Sequence, residues 1–190
     1  VSNGGAVYCN ANSSTFTGSE FTGNEANNGA GIFLAYALSN VKVNDCDFTD
    51  NKAINEGAAI MGIYNENNIQ VDNSRFNRNT ALNGGAIALG QNSNDFSLTN
   101  SEFNGNHASG YGGCVYFESN GDRVYIYNTD FTDNFASSGG AIHLFSSRMD
   151  DSYNTVDIID CNFYDNNGTS PDARYGGSAI GLNWANDVTI

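Results

Sequence analysis

The chain has 190 residues, a formal net charge of -14 and only seven Lys and Arg. That balance excludes partners that recruit basic side chains, nucleic acid and anionic membrane surfaces among them. Hydrophobic residues make up 39%, a level that with high charge can signal disorder, but 12 Phe and 10 Tyr are more large rings than a disordered chain uses.

Taken from the N-terminus, the chain opens at Val1-Ser2-Asn3-Gly4-Gly5 with a Gly-small-small-Ile/Val motif, which returns at Gly29, Gly57, Gly84, Gly112, Gly139 and Gly177. A period-two stretch follows each Gly: Val7-x-Cys9, Ile32-x-Leu34, Ile60-x-Gly62, Ile87-x-Leu89, Val115-x-Phe117, Ile142-x-Leu144 and Ile180-x-Leu182. A second alternating stretch comes next, as Val41-x-Val43, Ile69-x-Val71, Phe96-x-Leu98, Val124-x-Ile126 and Val156-x-Ile158. It leads into Phe-x-x-Asn, with Phe21/Asn24, Phe48/Asn51, Phe76/Asn79, Phe103/Asn106, Phe131/Asn134 and Phe163/Asn166. Both motifs keep a step of 27 or 28 residues through the middle of the chain. Alternation with period two predicts strands, and helical spacing at i, i+3, i+4 is absent.

A unit of two or three short strands cannot bury its apolar side alone, but it can when stacked on copies of itself at about 4.8 Å. The expected fold is therefore all-β: a single-stranded right-handed parallel β-helix, a solenoid of about seven coils and about 30 Å long on that spacing. One repeat domain spans residues 1–190, and because it begins and ends inside a repeat it reads as a fragment of a longer protein. The six Phe should form an interior column. The six Asn should occupy a turn, bonding to backbone and to each other while taking the left-handed conformation. Ser19, Cys46, Ser74, Ser101, Thr129 and Cys161, two residues before each Phe, are small enough for a crowded corner.

Tandem Gly-Gly-Ala-Ile/Val, as at Gly4 to Val7, Gly84 to Ile87 and Gly139 to Ile142, alternating with Phe21/Asn24, Phe76/Asn79 and their copies, resembles the repeats of chlamydial polymorphic outer-membrane proteins. It is similar also to adhesin-like proteins of methanogenic archaea. The resemblance covers essentially the whole chain. It implies a β-helical passenger or stalk, extracellular at a cell surface, that attaches to a glycan or a surface protein of another cell. Flanking coils of the same polypeptide are the other expected partner. Gly29-Ala30-Gly31-Ile32 and Gly57-Ala58-Ala59-Ile60 relax the second Gly.

Cys46 and Cys161 hold the same repeat slot four coils apart, about 19 Å at the strand spacing, too far for a bridge. Cys9 replaces a core aliphatic and Cys114 the Ala before Ile/Val, so all four cysteines read as free packing thiols. Neither CxxC nor HxxxH occurs, so no metal and no cofactor is expected. Acidic residues line the position before four of the six Phe, at Glu20, Asp47, Glu102 and Asp130, with Asp50, Asp133 and Asp165 beside them. Arg75 and Arg78 interrupt the stripe and should pair with carboxylates one coil away. Cation binding between coils and a plain solvated face are both open readings of this stripe.

Outward positions on the Gly-led strand also stack: Tyr8, Phe33, Met61, Ala88, Tyr116 and His143, with Tyr36, Tyr64 and Trp184 recurring nearby. The row is more apolar than solvent requires. It is either a platform for a glycan or protein, or a face covered by a segment outside this chain. The sixth coil carries two insertions, one holding Arg148, Asp150 and Asp151 and the other Asp172 and Arg174, a candidate loop site if the two converge. Asn12-Ser13-Ser14 and Asn167-Gly168-Thr169 are glycosylation sequons. The alternative function is a polysaccharide lyase or glycoside hydrolase of the pectate-lyase-like β-helix type, which needs acid-base groups gathered in one groove. His143 with Arg148, Asp150 and Asp151 is the one constellation of that kind, and the expectation is that the chain is not an enzyme.

Overall fold

Alternating side chains give the chain short strands, and the residues between them turn it through nearly identical corners. The computed structural model describes residues 2–35, 39–63, 67–90, 95–119, 122–146, 154–170, 177–183 and 187–190. Strands recurring along the sequence stack into four parallel sheets, two of seven strands and two of six. In the second winding these are Ile32–Ala35, Ser39–Asn44, Asp47–Thr49 and Lys52–Glu56, one strand for each of the first to fourth sheets. Six windings carry all four strands, and Ile180–Asn183 with Asp187–Thr189 make half of a seventh. The expected β-solenoid is present, with four strands to a winding rather than two or three. The fourth-sheet strand is only two residues long in the third to sixth windings, such as Thr80–Ala81 and His107–Ala108, too short to show an alternation.

Register is kept along the stack. Val7 pairs with Ile32 and Ile32 with Ile60 on the first sheet, and Phe21 with Phe48 and Phe48 with Phe76 on the third. The six Phe rings form a single file, with centroids 4.7, 4.9, 4.4, 5.1 and 4.9 Å apart and neighbouring planes within 17° of parallel. Aliphatic residues of the first two sheets, Ile32, Leu34, Val41, Val43, Ile60 and their copies, complete the interior. Cys9, Cys46, Cys114 and Cys161 are free thiols. Burial pushes the Cys114 thiol well up.

The Asn residues form a buried ladder beside the rings. Asn79 Nδ2 donates to Asn106 Oδ1 at 3.0 Å and to the Phe48 carbonyl at 3.0 Å, and the Asn79 backbone N–H also donates to Asn106 Oδ1, at 3.0 Å. The same three bonds recur from Asn51 to Asn79 and from Asn106 to Asn134. A primary amide has two N–H donors and an oxygen with two lone pairs, so this arrangement satisfies it completely. A second ladder lies at the preceding corner, where Cys46 N–H donates to Ser74 Oγ and Ser74 N–H to Ser101 Oγ, both at 3.1 Å.

The left-handed conformation falls one residue before the ladder. Asp50, Arg78, Asp133 and Asp165 take φ near +55°, whereas Asn51, Asn79, Asn134 and Asn166 do not. The expectation that the ladder Asn turn the chain is corrected: they stay in ordinary backbone because their side chains must point inward to bond. At the corner into the first sheet the left-handed residue is always Gly, from Gly4 to Gly177. A Cβ on Gly112 would meet the carbonyl of Val115.

Two substitutions separate the ladder from the exposed third sheet. Asn106→Ala removes the acceptor of the Asn79 backbone N–H and of one Asn79 Nδ2 hydrogen, and unpaired buried groups cost about 1–3 kcal/mol each. Denaturant unfolding should show a loss of about 3 kcal/mol or more for Asn106→Ala. Exposed Asn104→Ala should stay within about 0.5 kcal/mol of the parent.

A candidate binding site on the outer face of the first sheet

The outward row of the first sheet is in register. Tyr8 pairs with Phe33, Phe33 with Met61, Met61 with Ala88, Ala88 with Tyr116, and Tyr116 with His143. It is not an open platform. Phe33, Met61, Ala88, Tyr116 and His143 are 4, 3, 0, 9 and 2% exposed, and only Tyr8, at 54%, faces solvent. Phe33, Ala35, Met61, Ala88 and Tyr116 form a second apolar cluster outside the solenoid interior, with Ile63, Tyr111 and Phe145 packed on it. The apolar character of the row therefore answers to a cover supplied by this chain itself. Tyr36, Tyr64 and Trp184 lie outside the described residues, as do Arg148, Asp150, Asp151, Asp172 and Arg174 of the two insertions.

At the C-terminal end of the row Tyr111, Tyr116, His143 and Phe145 line a cleft of about 180 Å³. Tyr111 lies 4.8 Å from the His143 ring and 6.2 Å from Tyr116, centroid to centroid. Tyr116 and His143 come from adjacent strands of the sheet. Tyr111 comes from the corner, in the position that precedes each turn Gly. Successive windings fill that position with Asn28, Glu56, Asn83, Tyr111 and Ser138, linked in part by Glu56 N–H to Asn28 Oδ1 at 3.2 Å and Tyr111 N–H to Asn83 Oδ1 at 3.1 Å. Ser138 Oγ sits 3.2 Å from His143 Nδ1. Gly181 lies beside that contact, and a Cβ there would come within 2.8 Å of His143 Nδ1.

Among the described residues, the charged groups near the cleft are acidic. Glu118, half-buried, follows Tyr116 on the same face of its strand and pairs in register with Phe145. Glu56 is half-buried, and desolvation raises its pKa, with the charge of Glu118 adding to the effect. Burial pushes the Tyr116 hydroxyl well up, and Glu118 and Glu56 push it further. Burial holds the His143 imidazole down at about 4, so it is neutral at physiological pH. Tyr111, Ser138, Glu56, Glu118 and Phe145 were not among the residues singled out by sequence. The signal was present: Glu118 and Phe145 continue the alternation two residues past Tyr116 and His143, and the others share the slot before the turn Gly.

On the third sheet, Arg75 and Arg78 do pair one winding back. Each makes a two-pronged contact, Arg75 with Asp47 at 2.6 and 2.8 Å and Arg78 with Asp50 at 2.8 and 2.9 Å. Hydrogen bonding to Arg75 holds the Asp47 carboxyl below its usual range. Among the described residues, no three His, Cys, Asp or Glu converge to hold a metal ion.

A family model for the right handed beta helix region matches residues 1–131. The chain belongs to that family. A right-handed β-helix is also the winding that right-twisted parallel strands favour, since crossovers of this hand pack back onto the sheet. In this β-helix the model for the Chlamydia polymorphic membrane protein repeat matches residues 128–144, which hold Phe131, Asn134 and Gly139-Gly140-Ala141-Ile142. That repeat is one of membrane proteins, and it agrees with a protein of the outer membrane or cell surface. Neither a curated protein nor a solved structure matches the chain.

The buried imidazole sets a pH dependence. His143 binds a proton near pH 6.5 when unfolded and near pH 4 when folded, so the unfolded chain holds more protons between those values. Its contribution is complete above pH 6.5, falls as pH drops towards 4, and changes no further below. Over that window the loss should be about 3 kcal/mol. His143→Phe should flatten this part of the stability-against-pH curve, as read by denaturant unfolding at a series of pH values.

Proposed function

We propose that this β-helix is a surface-displayed, adhesin-like module that attaches to a glycan or a surface protein of another cell and has no catalytic role. The observation that carries the reading is the polymorphic membrane protein repeat over residues 128–144, whose Phe131/Asn134 pair and Gly-Gly-Ala-Ile motif recur along the chain. The disposition of polar groups supports it. Asn51, Asn79, Asn106 and Asn134 are consumed by the ladder, and Ser74 and Ser101 by the hydroxyl column. Asp47 and Asp50 are held by Arg75 and Arg78. His143, the titratable group at the centre of the lyase alternative, is buried against Ser138. A rod built this way offers a long, regular, acidic surface, suited to contact more than to proton transfer.

The purified chain, immobilised and presented with a glycan array and with intact cells, should retain a defined set of glycans or cells. Release of unsaturated or reducing ends from pectin, alginate or host glycans by the same chain would replace the attachment reading with the lyase or hydrolase one.

A further inference from the structure

The cleft at the C-terminal end of the first-sheet row combines features that together specify a ligand. Its walls are the rings of Tyr111, Tyr116, His143 and Phe145, and its volume of about 180 Å³ takes a chemical group and not a drug-sized molecule. Glu118 stands at its edge, two residues past Tyr116 on one face and in register with Phe145. Glu56 is close enough for its charge to act on Tyr116, and Glu118 acts on both. The ion pairs among the described residues are Arg75–Asp47, Arg78–Asp50 and Arg123–Asp157, and none includes either glutamate. The imidazole contributes a neutral ring and no opposing charge above about pH 4. A carboxylate-bearing or phosphate-bearing ligand would meet two like charges. A bare metal ion would meet aromatic walls where it needs oxygen or nitrogen ligands. A cation whose charge is spread over methyl groups is attracted both to ring faces and to the glutamates.

The geometry points to a binding site for the trimethylammonium group of a small choline-class cation, seated against the ring walls of Tyr111, Tyr116 and Phe145 with Glu118 as its counter-charge. This goes beyond attachment and fails separately from it: the chain can hold choline without retaining cells, and retain cells without holding choline.

The test is a titration of the intact chain, followed through the ring signals of Tyr111 and Tyr116 by NMR, with choline and with its neutral carbon isostere 3,3-dimethylbutan-1-ol. Choline should give saturable shifts, and the isostere should bind about tenfold more weakly because it keeps the shape and loses the charge. Tyr111→Leu should abolish the choline shifts. Glu118→Gln, an edge substitution that leaves the rings in place, should weaken choline several-fold. Unchanged ring signals from Phe48, Phe76 and Phe103 report that each variant keeps the fold. Phosphocholine should bind more weakly than choline, since its phosphate faces the glutamates. Absence of saturable shifts at about 10 mM choline, an affinity too weak to matter, overturns the proposal. So does equal binding of the isostere, tighter binding of phosphocholine, or displacement of choline by a neutral methyl glycoside, which would make the cleft a sugar site.

Discussion

The structure depends on the buried amide ladder that runs from Asn24 to Asn166. Each carboxamide between the two ends, from Asn51 to Asn134, donates to the next Asn and to the carbonyl of the preceding winding's Phe, and accepts twice from the Asn before it. Every one of those partners is fixed in the adjacent winding, so the ladder closes only if successive windings superimpose. The spacing shows that constraint. From the last residue of each second-sheet strand to the ladder Asn, as in Thr17 to Asn24, Asn44 to Asn51, Tyr127 to Asn134 and Ile159 to Asn166, the separation is constant through the chain. Even in the sixth winding, where both insertions fall, this segment is untouched. Length varies where no side chain has to reach its copy above and below.

Once the ladder sets the stacking, neighbouring columns follow from it. The Phe of each Phe-x-x-Asn stands three residues from the amide that bonds to its copy's carbonyl, so rings from successive windings meet nearly face to face. Stacking contributes about 0.5–1.5 kcal/mol per pair beyond burial. The corner residue between them has to reverse the chain within a single step, which accounts for Asp, Gly or Arg78 there in the left-handed region. Arg78 is the costly choice on backbone grounds, because a long non-glycine residue rarely takes that conformation. It stands directly above the left-handed Asp50 and its guanidinium meets that carboxylate, so one acidic corner is neutralised where a repeated Asp would have stacked like charges.

The fold was legible in the sequence because the features that define it recur: Phe48, Phe76 and Phe103 at steps of 28 and 27 residues, an Asn three residues later, and a Gly at each entry to the first sheet. The fourth sheet was not, since two-residue strands such as Phe135–Ala136 carry no periodicity to detect. The left-handed residue was misplaced by one for a physical reason. Asn is a good left-handed residue, but here its amide is worth more inside the solenoid than its backbone freedom is at the corner. The first-sheet row was found by its register and misjudged in exposure. Alternation tells which face a side chain takes and is silent on whether the chain returns to cover that face. The cleft rests on Tyr111, Glu118 and Phe145, each of which appears once in its column, and a search for what repeats passes over what does not.

That last point bears on how a repeat protein acquires a site at all. Identical windings build identical surfaces, and a pocket requires a step in an otherwise even column. The first-sheet row has such a step. It runs through Phe33 and Met61 to Ala88, the smallest side chain in it, then jumps to Tyr116 and His143 and ends at Gly181. Ala88 is too small to carry a ring in the winding before Tyr116, and position 181 has room only for Gly, because any side chain there would press on the imidazole that meets Ser138. In the slot before the turn Gly, Asn83 gives way to Tyr111 in the next winding, which brings a third ring over the same place. Breaks in two adjacent columns therefore coincide within the fourth to sixth windings. The rest of the solenoid has the regularity that holds this irregular patch rigid, and the patch is where the chain departs from a simple rod.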